Sequence, residues 1–148
     1  MGYRWQLVKG MALAMRGKTP PVPDDSGWRL LRAGDHAGAE QAAVELLRRA
    51  DAADESDWPP GDLRQMAHAL LGFIALGRDD LDEAEAELRR SAEVGHTPVL
   101  GSFGPDLGLL WELLRRGRAD AAVYFAQRYG EFWPGPGRRS LDNDHADS

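Results

Sequence analysis

A chain of 148 residues, 43% apolar and 28% charged, is long enough to bury roughly 70% of the surface its unfolded form exposes and too apolar for general disorder. Its net charge of −6 runs against nucleic-acid binding, in which Lys and Arg must meet phosphates. The absence of cysteine removes disulfides, thiolate metal sites and cysteine nucleophiles. No apolar run approaches the ~20 residues of a membrane span. Lys9 and Arg16 bracket the short patch Met11–Met15 too closely for a signal-peptide core, and a cytoplasmic location is expected.

Residues 1–23 carry Arg4, Lys9, Arg16 and Lys18 without an acid. Trp5, Val8, Ala12 and Met15 fall on one side at helical spacing, which predicts a basic N-terminal helix over 3–16. Gly17 and the run Pro20-Pro21-Val22-Pro23 end it, because proline lacks an amide proton and pushes its predecessor out of the helical region. Asp24, Asp25 or Ser26 can cap the next helix, with Trp28, Leu30 and Leu31, which stops at Gly34.

A helix from about Asp35 to Ala53 repeats Ala39, Ala42, Ala43, Leu46 and Leu47 as one apolar stripe, with Glu40, Glu45 and Arg48 outside it. After the linker 54–61, Asp62 is expected to cap a helix holding Leu63, Met66, Ala67, Leu70, Leu71, Ile74 and Ala75. Gly77-Arg78-Asp79 turns the chain into a helix with Leu81, Ala84, Leu88 and Ala92. Its acids come first and its arginines last, as the helix dipole favours. Residues 95–105 form a turn-rich loop; helices over 107–116 and 119–129 follow, separated by Gly117. The Pro-, Gly- and Ser-rich stretch 134–148 ends in Asp142, Asp144 and Asp147 and reads as a flexible acidic tail. No segment alternates with a two-residue period, so no sheet is expected.

Three helix pairs share one grammar. Gly34 precedes Ala39 by five residues, Asp79 precedes Ala84 by five, and Gly117 precedes Ala122 by five. The small residue lets the second helix of each pair lie close to the first. With Leu71-Gly72, Leu81, Ala84 and Leu88 in the middle unit, the pattern resembles the tetratricopeptide repeat (TPR) over about residues 24–131. The departures are the spacings of 45 and 38 residues in place of 34, and a displaced closing proline, Pro98. The stretch TPVLGSFGPD, a helix and then Phe132-Trp133 resemble the ending of some bacterial TPR-like proteins. The resemblance implies an all-α fold: a TPR-like stack of about three hairpins over 24–133, with an extra N-terminal helix. The alternative is a helical bundle of other topology.

Residues suggestive of chemistry have blander explanations. Ala12–Thr19 matches a loose phosphate-loop pattern, yet Pro20 and Pro21 forbid the helix that must follow it. His36, His68, His96 and His145 lie in four segments without metal-ligand spacing, and the acids between Asp79 and Glu87 lack a calcium-loop pattern. No nucleophile or carboxylate pair is placed for catalysis. No cofactor, metal or catalytic residue is therefore expected, and the chain reads as a non-enzyme.

What remains is a surface. Trp28, Phe73 and Trp111 each stand six residues before the turn positions Gly34, Asp79 and Gly117; Arg32, Gly77 and Arg115 come four residues later. If the first helices of the pairs line one face, as the resemblance implies, these residues and Met66 form a concave groove, aromatic with arginine at both ends. Such residues dominate binding hot spots, and arginine grips carboxylates with two hydrogen bonds. The alternative is that the rings fill gaps between hairpins. The expected function is a protein–protein interaction module, an adaptor or a regulatory or chaperone-like subunit, for a protein or peptide partner of acidic character. The rival function is small-molecule binding or accessory work in a bacterial biosynthetic pathway. Self-assembly as a homo-oligomer is a third reading, and no membrane partner is expected. The N-terminal helix and the acidic tail are themselves candidates to fill the groove.

Overall fold

The computed structural model describes residues 25–94 and 107–130, the side chains of 129 and 130 excepted. The expected N-terminal helix, the loop over 95–105, Phe132-Trp133 and the tail 134–148 lie outside the described residues. Those described form six helices and no strand: α1 (Ser26–Arg32), α2 (His36–Ala52), α3 (Pro60–Gly77), α4 (Leu81–Ser91), α5 (Gly108–Arg115) and α6 (Ala119–Gly130). The described residues are all-α, as their periodicity requires.

Each helix packs on the next up to α4, and α5 packs on both α4 and α6; α1 also touches α3, α3 touches α5 and α4 touches α6. The long helix α3 is the hub. Its Leu63, Ala67, Leu70 and Ile74, at helical steps, join Ala39, Ala43, Leu46 and Ala50 of α2 in one core cluster. Its Ala75 and Leu76 join Ala84 and Leu88 of α4, Leu109, Leu110 and Leu113 of α5, and Phe125 of α6 in the other. Each buried leucine or isoleucine removed from water contributes about 1.5–3 kcal/mol.

The three turns expected to repeat are the same turn. Gly34 and Gly117 have φ of 86° and 80°, and Asp79 takes the same left-handed conformation at 58°. At each, the turn residue donates its amide to a carbonyl three residues back and its successor donates to one five back: Gly34 to Leu31 and Asp35 to Leu30, Asp79 to Leu76 and Asp80 to Ala75, Gly117 to Leu114 and Arg118 to Leu113. This pair of bonds closes the exposed carbonyls at a helix end. Asp35 and Asp80 then cap the following helix, accepting from the amides of Gly38 at 2.9 Å and Glu83 at 3.1 Å. Five residues past the turns, Ala39, Ala84 and Ala122 are all fully buried. Gly77, where the sequence puts its glycine, has no positive φ; a Cβ there would lie 2.7 Å from His36 Cε1.

Two helix starts differ from expectation. Asp25 precedes α1 but its side chain makes no capping bond; its carboxylate instead holds Arg29 at 2.9 Å. Asp62 is not the cap of α3, which begins two residues earlier with Pro60 in its first turn. Proline suits that position, since its missing amide proton has no helical partner there. Asp62 is thereby carried inside the helix, where it is buried.

Candidate functional site

The residues expected to line a groove meet around α3. Trp28 on α1 stands edge-on to Phe73 on α3, ring centroids 5.3 Å apart and planes at 79°, the geometry that brings a positive ring edge to a negative ring face. Its indole Nε1 donates to Met66 Sδ at 2.8 Å. Three of the six site residues thus form one junction between α1 and α3. Met66 is 4% exposed and forms its floor, while Trp28 and Phe73 are half-buried. Trp111 on α5 is 38% exposed, one of two exposed large apolar side chains among the described residues with Val44. Arg32 ends α1 exposed and without an ion pair among the described residues. Arg115 ends α5 exposed and is held by Glu112, one turn earlier. The structure therefore joins Trp28, Met66 and Phe73 and leaves Trp111, Arg32 and Arg115 facing solvent on neighbouring helices.

Two glycines bring these first helices together: Gly72, part of the Leu71-Gly72 pattern, and Gly27, which carried little signal in the sequence. Gly27 and Gly72 both stand seven residues before their turns. A Cβ on Gly27 would lie 2.4 Å from Leu70 Cδ2, and one on Gly72 would lie 2.3 Å from Leu109 Cδ2. Each glycine is a notch that receives a leucine from the next first helix, so α1, α3 and α5 approach closely in turn.

Equally hidden in the sequence is a chain of ion pairs across successive turns. Arg78, just before the second turn, reaches Glu40 on α2 at 3.2 Å. Arg116 and Arg118, on either side of the third, reach Asp79 at 3.7 Å, Asp82 at 2.8 Å and Glu85 at 2.9 Å. Glu40 and Glu85 each directly follow the buried alanine of their unit. The acids of α4 thus spend much of their charge on arginines, and among the described residues no three His, Asp or Glu gather closely enough to hold a metal ion.

The buried polar side chains among those described are Asp62, Gln65, Glu87 and Ser91, all on α3 and α4. His68 Nδ1 lies 2.7 Å from Glu87 Oε2, and Arg90 donates to Glu87 Oε1 at 2.5 Å. Burial opposes the Glu87 charge, but the His68 hydrogen bond and the charges of His68 and Arg90 outweigh it, leaving its pKa below the ordinary 4.5. Its stabilising contribution is complete above that value and is lost as pH falls through the lower folded pKa. Elsewhere, the Arg49 guanidinium clasps Asp57 at 2.6 and 2.8 Å and the Trp58 amide adds a third bond. These hold the Asp57 pKa down to about 2 and fasten the linker after α2 back onto that helix.

The cleft between α1 and α2, lined by Ser26, Gly27, Ala42, Glu45, Leu46 and Arg49, holds about 70 Å³, well short of the roughly 300 Å³ at which small-molecule sites begin. No helix among the described residues is long and apolar enough to cross a membrane. Comparison of the chain with protein-family models, curated proteins and solved structures finds no match.

Proposed function

We propose that this chain is a binding module of TPR-like architecture, three helical hairpins whose first helices α1, α3 and α5 present one face to a peptide of acidic character. On that face Trp28, Met66 and Phe73 form an apolar seat, Trp111 offers a second ring, and Arg32 and Arg115 hold carboxylates. The observation that carries the proposal is the junction of Trp28, Met66 and Phe73, beside an exposed Trp111 and an Arg32 with no ion pair of its own among the described residues. The repeated turns, the buried alanines and the glycine notches support the hairpin stack. A guanidinium with no acid of its own gives up no ion pair to take a ligand carboxylate, whereas Arg115 must share or leave Glu112, which makes Arg32 the stronger grip and Arg115 the weaker.

The test is titration of the protein with an array of peptides graded in acidic and aromatic content, followed by fluorescence anisotropy. Arg32→Ala should weaken the best binder by about 10–150-fold, the worth of one charge-assisted hydrogen bond. Trp111→Ala should weaken it at least as much. Binding that is indifferent to both substitutions, with helicity unchanged, refutes the proposal.

A further inference from the structure

Two devices join each hairpin of the described residues to the next. The first is a glycine seven residues before the turn: Gly27 seats Leu70, and Gly72 seats Leu109. The second is an acid six residues after the turn: Glu40 holds Arg78 at 3.2 Å, and Glu85 holds Arg118 at 2.9 Å. Each junction therefore has a receiving half, glycine and acid, and an entering half, leucine and arginine. The second hairpin, α3 with α4, carries both halves: Gly72 and Glu85 to receive, Leu70 and Arg78 to enter.

The outer hairpins carry one half each. In the third, α5 with α6, the position seven before Gly117 is Leu110 and the position six after it is Val123. Leu110 is 1% exposed, so its own side chain fills the space a further leucine would need, and forcing both in is overpacking. Val123 has no charge to offer an arginine. In the first hairpin, α1 with α2, the positions nine and eight before Gly34, which match Leu70 and Leu109, are Asp25 and Ser26. Asp25 is held by Arg29, and Ser26 is exposed. Ala33 and Asp35 flank the first turn where arginines flank the other two, and an aspartate brought up to an acid repels it.

We infer that the first and third hairpins cap the stack: neither end is built to join a further hairpin, of this chain or of a second copy, by the mode used inside it. Outer units unlike the inner one are what a stack of repeats needs in order to stop rather than grow. The inference rests on the proposed binding face and fixes its extent at three first helices, α1, α3 and α5.

The test is duplication within the full-length chain. One variant repeats residues 60–106 directly after Asp106, adding a second copy of the middle hairpin. The other repeats residues 95–130 directly after Gly130, adding a second copy of the third. In urea the first variant should unfold in one transition with a slope about one third larger than the parent's, because the slope follows the surface exposed. The second should keep the parent's slope and lose its added copy to limited proteolysis. Docking of the added third hairpin overturns the inference, and so does failure of both copies to dock. Should an insertion unfold the whole chain, sedimentation velocity of the unaltered protein from micromolar to millimolar concentration decides. A species of fixed mass is expected; growth into an open-ended series of trimers and larger overturns the inference, since head-to-tail contacts that do not close make filaments. None of these measurements uses a peptide, so their outcome is distinct from that of the Arg32 and Trp111 titration.

Discussion

The junction between the first and second hairpins and that between the second and third use the same backbone and different side chains. Both begin from a left-handed residue with the same pair of closing hydrogen bonds, and both seat a leucine in a glycine notch. Beyond that they diverge. The first is aromatic, with Trp28 against Phe73 and over Met66, and its two ion pairs, Arg78–Glu40 and Arg64–Asp51, join exposed side chains one acid to one arginine. The second is ionic, with Arg116 and Arg118 meeting three acids and Arg89 lying 5.1 Å over the Tyr124 ring. The backbone thus sets how closely hairpins approach, while side chains decide whether a junction is closed by charge or left with apolar area. The apolar junction is the one on which the proposed binding face is built.

The notches make the sharpest test of what the two junctions share. Leu109→Ala and Leu70→Ala, both nearly fully buried, should each cost about 2–5 kcal/mol in urea denaturation. Gly72→Ala alone should cost about 1–3 kcal/mol by overpacking. Combined with Leu109→Ala it should cost less than the sum, by about 0.5–3 kcal/mol, since the new methyl fills the space the leucine left. Additive costs would mean the notch does not couple α3 to α5.

The turns come next. Gly117→Ala places a Cβ in a left-handed residue and should cost about 1–2 kcal/mol. Asp79→Gly should do the reverse, raising stability by up to about 1 kcal/mol, because Asp79 alone of the three carries that strain. A loss on Asp79→Gly would show that the Arg116 pairing outweighs the strain.

Arg118→Ala should lower the midpoint of urea unfolding slightly and lose its effect in high salt, while Arg78→Ala should lower it less, having one acid where Arg118 has two. Equal shifts would erase the difference between the junctions. The smallest effect belongs to the linker. Asp57, held near 2 by Arg49, favours the folded state above its ordinary value of 3.8 and loses that contribution as pH falls towards 2. Asp57→Asn should therefore lower the midpoint of urea unfolding at pH 7 and converge on the parent protein near pH 2.

The helices were legible in the sequence because each had to bury one face, and a period of 3.6 with glycine, proline and aspartate at the breaks records that need locally. The five-residue step from turn to alanine was legible for the same reason, down to Asp79 standing where a glycine would. The start of α3 was not. Asp62 has the chemistry of a cap, but Pro60 fits a first turn better, and only burial separates the two roles. Of the candidate site, the equivalence of Trp28, Phe73 and Trp111 could be counted off, yet counting did not say that two of the rings touch while the third stands clear.

Local pattern by itself determined that the described residues are helical, where the helices bend, and which small residues lie inside each bend, since those follow from one segment's own periodicity and backbone freedom. Tertiary structure alone decided that Gly27 and Gly72 are notches for Leu70 and Leu109, that arginines of one turn meet acids of the hairpin before, and that Met66 sits beneath Trp28. Those are contacts between residues some 30 to 45 positions apart, and their energy depends on distance in space, which no spacing along a chain records.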